Sequence, residues 1–290
     1  MILADRKTPN YTMLRRGILS VISDEISDDF AAVLEFVKYH ELDWVELRSA
    51  YGTSLLRLPQ AKILELRDKL AASHIKVISF ASPLLKWPCD RTATAPGGAR
   101  AHGFALPPDE ATEALIHRAF DICHIFKTKR LRVFSFLRHP PPPDAQLADA
   151  FETLTRLADE HDIDLLVEHE ASCSIASVAE VERFLRQFSS PRIKLLLDPA
   201  NFLEGGESLE TVPEHWLPRI GHVHVKDYDP TAGEFVPLGE GQVPFRSLFA
   251  SMTKSEHTDI SISIETHCPD NRRDATARSL TELRRILSQL

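Results

Sequence analysis

Residues 260–267 read Ile260-Ser261-Ile262-Ser263-Ile264-Glu265-Thr266-His267. Side chains alternate along a β-strand, so the isoleucines share one face while Ser261, Ser263, Glu265 and His267 share the other. The isoleucines suit the layer between strands and helices. The polar face then points into the lumen of a closed barrel, with Glu265 at its C-terminal end.

The same alternation recurs upstream. Val223 and Val225 oppose His222, His224 and Lys226; Leu165, Val167 and His169 oppose Leu166, Glu168 and Glu170. Val45 and Leu47 oppose Trp44, Glu46 and Arg48, and the run Leu195-Leu196-Leu197 ends in Asp198. In all, short β-branched runs alternate with helical periodicity through eight pairs. Strands are expected at 17–22, 43–48, 76–81, 131–136, 164–169, 192–197, 221–226 and 259–265. Helices are expected at 28–41, 58–73, 108–127, 145–161, 176–188, 209–216, 245–254 and 274–289, the sixth interrupted by Pro213. Ser27-Asp28-Asp29 and Pro107-Pro108-Asp109-Glu110 supply helix-start signals: capping oxygens, pre-set φ and first-turn acids.

Repeated strand–helix pairs argue for a parallel sheet, and eight of them allow closure into an α/β (β/α)₈ TIM barrel. A doubly wound dinucleotide fold would carry a glycine-rich turn after its first strand, but SVISDEISDD (20–29) has no glycine. Residues 1–16 read as a polar N-terminal arm, and 17–290 as one barrel domain. Its longest irregular stretch is the loop 83–108, which leaves the third strand on the face where barrel enzymes work. Pro140–Pro143 reads as a stiff connection before the fourth helix.

Composition narrows the function. The formal net charge is −8 without a basic stripe, which argues against nucleic acid as a partner. No apolar run approaches the roughly 18–20 residues that span a membrane. The opening MILADRKTPNYTMLRRG mixes charges with apolar residues and does not read as a signal peptide. Cys89, Cys123, Cys173 and Cys268 form no CxxC pair, which fits free thiols and a cytoplasmic location.

Four late strands therefore end in Glu168, Asp198, His222 or His224, and Glu265. A lone glutamate at a strand end is ordinarily ion-paired or solvated, His-x-His is as often core packing, and Arg48 beside Glu46 can be an internal ion pair. The coincidence of ligand-type residues on successive strands is what points to a metal. Buried carboxylates need cations, protons or hydrogen bonds, and one divalent ion satisfies them together. Carboxylates with imidazole and no thiolate suit Mn, Mg, Co or Zn.

The motifs LLVEHEAS, IKLLLDPANF, GHVHVKDYD, PLGEGQVPF and ISIETH, with ISDEIS and WVELRSAYG, resemble the sugar phosphate isomerase/epimerase family of xylose isomerase-like TIM barrels, from about Gly17 onward. That group includes ketose 3-epimerases, inosose dehydratases and, more distantly, endonuclease IV. The resemblance implies one divalent metal held by Glu168, Asp198, His224 and Glu265, with Glu168 and Glu265 doubling as catalytic acid and base. His222 then becomes a substrate or supporting group. Glu46, Arg48, Glu170, Asn201, Lys226 and His267 complete the candidate substrate contacts, with Trp44, Phe80 and Trp87 as candidate walls. The chain departs from the family twice. Asp198-Pro199-Ala200-Asn201 ends in an amide where epimerases often carry a second imidazole, and Glu168-His169-Glu170 replaces the commoner Glu-Asn-His.

The expected function is a metal-dependent isomerase or epimerase of a sugar or keto-sugar, working by proton transfer through an enediolate. A dehydratase of a keto-polyol such as an inosose needs the same ligands, and a non-catalytic sugar-binding barrel is a further alternative. Phosphodiester hydrolysis conflicts with the acidic balance. Barrels of this type are often homo-oligomers, though nothing in the sequence marks such a surface.

Overall fold

The computed structural model describes residues 18–90, 111–253 and 260–290. The arm at 1–16, the helix-start motif at 107–110 and most of the expected loop, 91–108, lie outside the described residues.

Eight parallel strands form one sheet. They are β1 (Ile18–Val21), β2 (Trp44–Leu47), β3 (Lys76–Leu84), β4 (Arg130–Val133), β5 (Asp164–Glu168), β6 (Ile193–Leu197), β7 (Ile220–Val225) and β8 (Ser261–Ile264). Each pairs with its chain neighbour from β2 to β8, and β8 pairs with β1 in the register Ser20↔Ser263. A single parallel bridge, Ile22↔Glu46, brings β1 against β2, so the barrel is nearly closed. The TIM-barrel expectation holds.

The helices between them are α1 (Phe30–Tyr39), α2 (Gln60–Ala72), α3 (Thr112–Phe126), α4 (Asp144–His161), α5 (Val178–Gln187), α6 (Pro199–Glu204), α7 (Phe245–Met252) and α8 (Arg272–Ser288). Local chemistry sets their ends. Asp29 caps α1 by accepting from the Ala31 N–H, and Ser177 with Glu180 forms a capping box on α5. Lys127 and Asp162 end α3 and α4 in the left-handed region.

Alternation along the strands builds two layers. The outward set, including Val45, Leu47, Leu165, Val167, Val223, Val225, Ile262 and Ile264, is buried. It belongs to the same apolar core as Phe36, Leu66, Phe120, Leu154, Phe184, Phe249 and Leu283 from the helices. The inward set is largely polar, as the eighth strand implied: Ser20, Glu46, Ser79, Arg132, Glu168, His222, His224, Ser261 and Ser263 are all buried.

Three expectations are corrected. The third strand runs on to Leu84, so Pro83 and Leu84 belong to the barrel and not to the loop. The fourth ends at Val133. The sixth helix does not form at 209–216. The chain instead makes the short α6 directly after β6 and a 3₁₀ helix at Glu214–Arg219. Pro213 begins that 3₁₀ turn and Pro218 lies inside it, so a continuous α-helical hydrogen-bond ladder is blocked. Leu209, Val212 and Trp216, which suggested helical periodicity, are buried all the same.

Candidate metal centre

Four strands deliver four side chains to one point at the C-terminal mouth. Glu168 is the last residue of β5, Asp198 follows β6, His224 lies on β7 and Glu265 follows β8. One ligand atom from each lies within 4.8 Å of the others, and all four residues are buried. The period-two direction of each strand explains the convergence. His224 lies level with Ser263 on β8, and Glu265, two residues past Ser263, therefore projects from the same inward face.

Cations surround the carboxylates. The Arg132 guanidinium donates to Glu168 Oε2 at 3.0 Å, and both side chains are only 2% exposed. Asn201 Nδ2 donates to Glu168 Oε1 at 3.4 Å. Lys226 Nζ stands 2.9 Å from Asp198 Oδ2 and 3.0 Å from Glu265 Oε2. Arg48 donates to Glu265 Oε1 at 2.7 Å while also pairing with Asp24 and Glu25. His267 Nε2 is 3.0 Å from Glu265 Oε1.

These contacts set the protonation states. Burial pushes Glu168 upward, but Arg132 and His224 outweigh it and hold the carboxyl down to about 2. Burial likewise opposes ionisation of Glu265, and His267, Lys226 and His224 together hold it well below the ordinary carboxylate range. Asp198 goes the other way: burial dominates and, despite Lys226, lifts it to about 6. Burial alone would lower His224, but Glu46, Glu265 and Glu168 raise it well above an ordinary histidine.

The donor set fits a hard divalent cation. His224 Nδ1 faces Glu265 Oε2 at 3.4 Å and Glu168 Oε1 at 3.6 Å, yet is buried without a hydrogen bond. Asp198 Oδ2 is also buried without one, even beside the Lys226 ammonium. Buried polar atoms rarely go unsatisfied, and an imidazole nitrogen aimed into carboxylates that share one ammonium is what a further cation would satisfy. Carboxylates plus one imidazole match Mn, Mg, Co or Zn.

The candidate substrate contacts separate into groups. Arg48 and His267 border an open cavity of about 700 Å³, lined also by Asp24, Glu25, Phe235 and Arg272. Lys226 and Asn201 sit against the ligands themselves. Glu46, a candidate substrate contact, and His222, a candidate substrate or supporting group, are fully buried and bonded to each other one layer deeper. Glu170 points into an ion pair with Lys86 at 2.5 Å and also accepts from Ser172. Trp44 begins β2, at the end of the barrel away from the cluster, while Phe80 is wholly buried beside Leu47 and Leu131. Trp87 is buried. Phe235 takes the position of an aromatic wall, with its ring 4.8 Å from Lys226 Nζ.

Four supporting residues escaped the sequence reading. Arg132 opposes Leu131 and Val133, so alternation points it inward, but it stands early in the expected strand 131–136, far from the C-terminal end where ligands cluster. Glu25, inside ISDEIS, accepts from the N–H groups of Thr266 and His267 and so holds the chain just after Glu265. His169 stacks on Phe202 with centroids 3.8 Å apart and accepts the Asp198 N–H at 3.2 Å, which fixes the start of that ligand's turn. Burial lowers His169 to about 3, so it stays a neutral acceptor. Lys86 gave no signal, because its partner Glu170 is remote in sequence.

Comparison with known proteins identifies the fold family. Residues 34–286 match the family model described as xylose isomerase-like TIM barrel. Inosose dehydratase of Klebsiella pneumoniae (strain 342) is 30% identical over 124 residues, which cover 36% of this chain and 41% of that protein. The chain thus matches less than half the length of such curated relatives. Among solved structures, the IOLI protein with a binding zinc atom superposes with a TM-score of 0.70 at 14% identity, covering 93% of this chain and 98% of the other. D-allulose 3-epimerase from Methylomonas sp., in complex with D-allulose, superposes with a TM-score of 0.67 at 16% identity, covering 93% and 97%. Among the described residues no helix is long and apolar enough to cross a membrane.

Proposed function

Because the chain belongs to the xylose isomerase-like TIM-barrel family, we propose that it is a divalent-metal-dependent isomerase or epimerase of a sugar or keto-sugar. The observation that carries this reading is the pair of buried glutamates, Glu168 and Glu265, arriving from β5 and β8 at one cluster with Asp198 and His224.

Glu168, Asp198, His224 and Glu265 would hold the ion. When bound, it supplies a Lewis acid beside the substrate carbonyl. The chain's own residues do the rest. One glutamate takes the proton next to the carbonyl, and the other returns a proton to the opposite face or the neighbouring carbon. Positioned acid–base pairs of this kind contribute roughly 10²–10⁴-fold. Arg132 keeps Glu168 ionised and pointed inward. Lys226 and Arg48 do the same for Glu265. His267 and Arg48, which border the open cavity, would meet hydroxyls, and Phe235 would offer an apolar face.

Dehydration of a keto-polyol is the second reading. The sequence match to inosose dehydratases favours it. Deuterium exchange separates the possibilities. Ketoses and inososes are incubated with the metal-loaded protein in D₂O. Deuterium entering a C–H bond without a near-ultraviolet chromophore indicates isomerisation, while a new conjugated absorption indicates elimination. Neither signal from a metal-loaded protein defeats both and leaves a binding barrel. Metal content of the wild type against Asp198→Asn and His224→Ala tests the centre itself: about one ion per chain is expected, lost in both variants.

A further inference from the structure

His224 has two ring nitrogens, and the structure gives them different surroundings. Nδ1 faces Glu168 and Glu265. Nε2 lies 3.1 Å from Glu46 Oε2, inside the barrel, where both residues have no exposure. An ionised carboxylate only accepts hydrogen bonds. A proton on Nε2 therefore has a fixed acceptor, and Nδ1 is the nitrogen free to give up its proton to an ion in the ligand cluster.

Glu46 is itself held. Its Oε2 is 3.0 Å from His222 Nε2, so this one oxygen holds both imidazoles, while Oε1 is buried without a partner among the described residues. His222 Nδ1 is 2.5 Å from Ser261 Oγ, and its Nε2 is 2.9 Å from Ser263 Oγ. Ser263 in turn bonds Ser20 at 2.5 Å. The string runs from β2 through β7 to β8 and β1. It crosses the place where the barrel closes by only one bridge, so it braces the strand that carries His224.

We propose that Glu46 is the positioning residue of the metal centre: it fixes the Nε2–H form and the orientation of His224, and His222 fixes Glu46. This rests on the reading of His224 as a metal ligand. A carboxylate behind a ligating imidazole also makes the nitrogen in front more basic, and loss of such a partner costs about 10–100-fold in metal affinity. Glu46→Gln is the informative change because it keeps the shape. If its carbonyl takes the Oε2 position, the negative charge is gone. If its amide nitrogen does, it donates to Nε2 and moves the histidine proton to Nδ1, the atom that must ligate.

The test uses zinc as the probe. Zinc dissociation constants are measured by chelator competition for the wild type, Glu46→Gln, Glu46→Asp and His224→Ala, with melting curves in EDTA. The zinc-loaded wild type, labelled with ¹⁵N-histidine, reports which nitrogen of His224 carries the proton. Expected are a proton on Nε2, about 10–100-fold weaker zinc in Glu46→Gln, and partial recovery in Glu46→Asp. A purely structural Glu46 would lower the melting temperature and leave the zinc constant within twofold, which overturns the inference. A proton found on Nδ1 of the wild type overturns it even if every variant misfolds. A wild type that takes up no zinc, or a His224→Ala that binds as well, defeats the metal reading itself and the inference with it.

Discussion

Arg132→Met tests the electrostatics of the centre most directly. The Arg132–Glu168 pair is 2% exposed on each side, with Nη1 3.0 Å from Oε2. Arg132 also donates to the Ser82 carbonyl at 3.1 Å and the Ala81 carbonyl at 3.0 Å. Removing one partner of a buried pair strands the other charge, at a cost of about 3–5 kcal/mol. At about 2.1 cal/mol/K per residue, a chain of this length unfolds with roughly 0.6 kcal/mol/K, so the melting temperature should fall by about 5–8 °C in EDTA. Two controls tie the loss to Glu168. Saturating zinc supplies another cation to the same carboxylate and should shrink the deficit. Adding Glu168→Gln removes the stranded charge and should restore more than half of the loss, whereas independent sites would add. Differential scanning calorimetry of the four proteins reads all of this. A deficit under about 2 °C in EDTA, or a double variant no better than Arg132→Met, would refute the reasoning.

The remaining predictions concern a turn, protons and an acid. At Gly241 an added Cβ would meet Asp227 Oδ1 at 2.3 Å and the Tyr228 carbonyl at 2.5 Å. Asp227 holds that turn by accepting from Gly239 and Val243, so Gly241→Ala should cost about 1–3 kcal/mol, read by a denaturant melt, with metal stoichiometry unchanged. Metal uptake should release protons from Asp198, lifted to about 6, and from His224, raised above its ordinary range. Affinity for zinc should therefore rise with pH through 6 and keep rising beyond it; calorimetry in buffers of different ionisation enthalpy giving no proton release between pH 5 and 7 would exclude this. In EDTA the signs for stability differ by residue. Asp198, raised, contributes stability that is complete below about 3.8 and lost as pH rises through about 6; Glu168, lowered, contributes stability present above about 4.5 and lost as pH falls toward 2. If the reaction is an elimination, His267→Asn should slow it by about 10²–10⁴-fold while solvent deuterium exchange into the same substrate continues. Loss of both together would remove His267 as the separate acid.

The centre was legible because strand geometry carries direction. Glu168, Asp198, His224 and Glu265 each stand at or near the end of an alternating strand, and period two alone aims them into the barrel. Depth was legible only within a strand. His222 lies two residues below His224 on the same strand, but the level of Glu46 is set by the stagger of neighbouring strands and by the irregularity between Val45 and Glu46. Those are properties of pairing, not of any one segment. Partners across the barrel were hidden for the same reason: nothing local to Arg132 names Glu168, and nothing local to Lys86 names Glu170. The sixth helix failed on a competition between two local signals. Leu209, Val212 and Trp216 stand at helical spacing, but Pro213 and Pro218 decide the backbone, and these buried residues reach the core from a 3₁₀ turn and the irregular chain before it.

The choice between isomerase and lyase turns on where the second proton goes. On the proposed reading both reactions begin with proton loss next to a carbonyl. Isomerisation then returns a proton to carbon, whereas elimination delivers one to a departing hydroxyl. Glu170, the extra carboxyl of the unusual Glu168-His169-Glu170 segment, does not meet that need as it stands, because Lys86 engages one of its oxygens and Ser172 the other. That arrangement makes Glu170 a brace for Lys86, itself 2% exposed, against the Phe134 ring that Arg132 also covers. The acid for a departing hydroxyl would be Glu265 itself or His267, which stands beside it and borders the open cavity. Isomerisation would return the second proton to carbon from a glutamate of the cluster; expulsion of water would direct it to the leaving oxygen, from Glu265 or His267, according to how the substrate lies in that cavity.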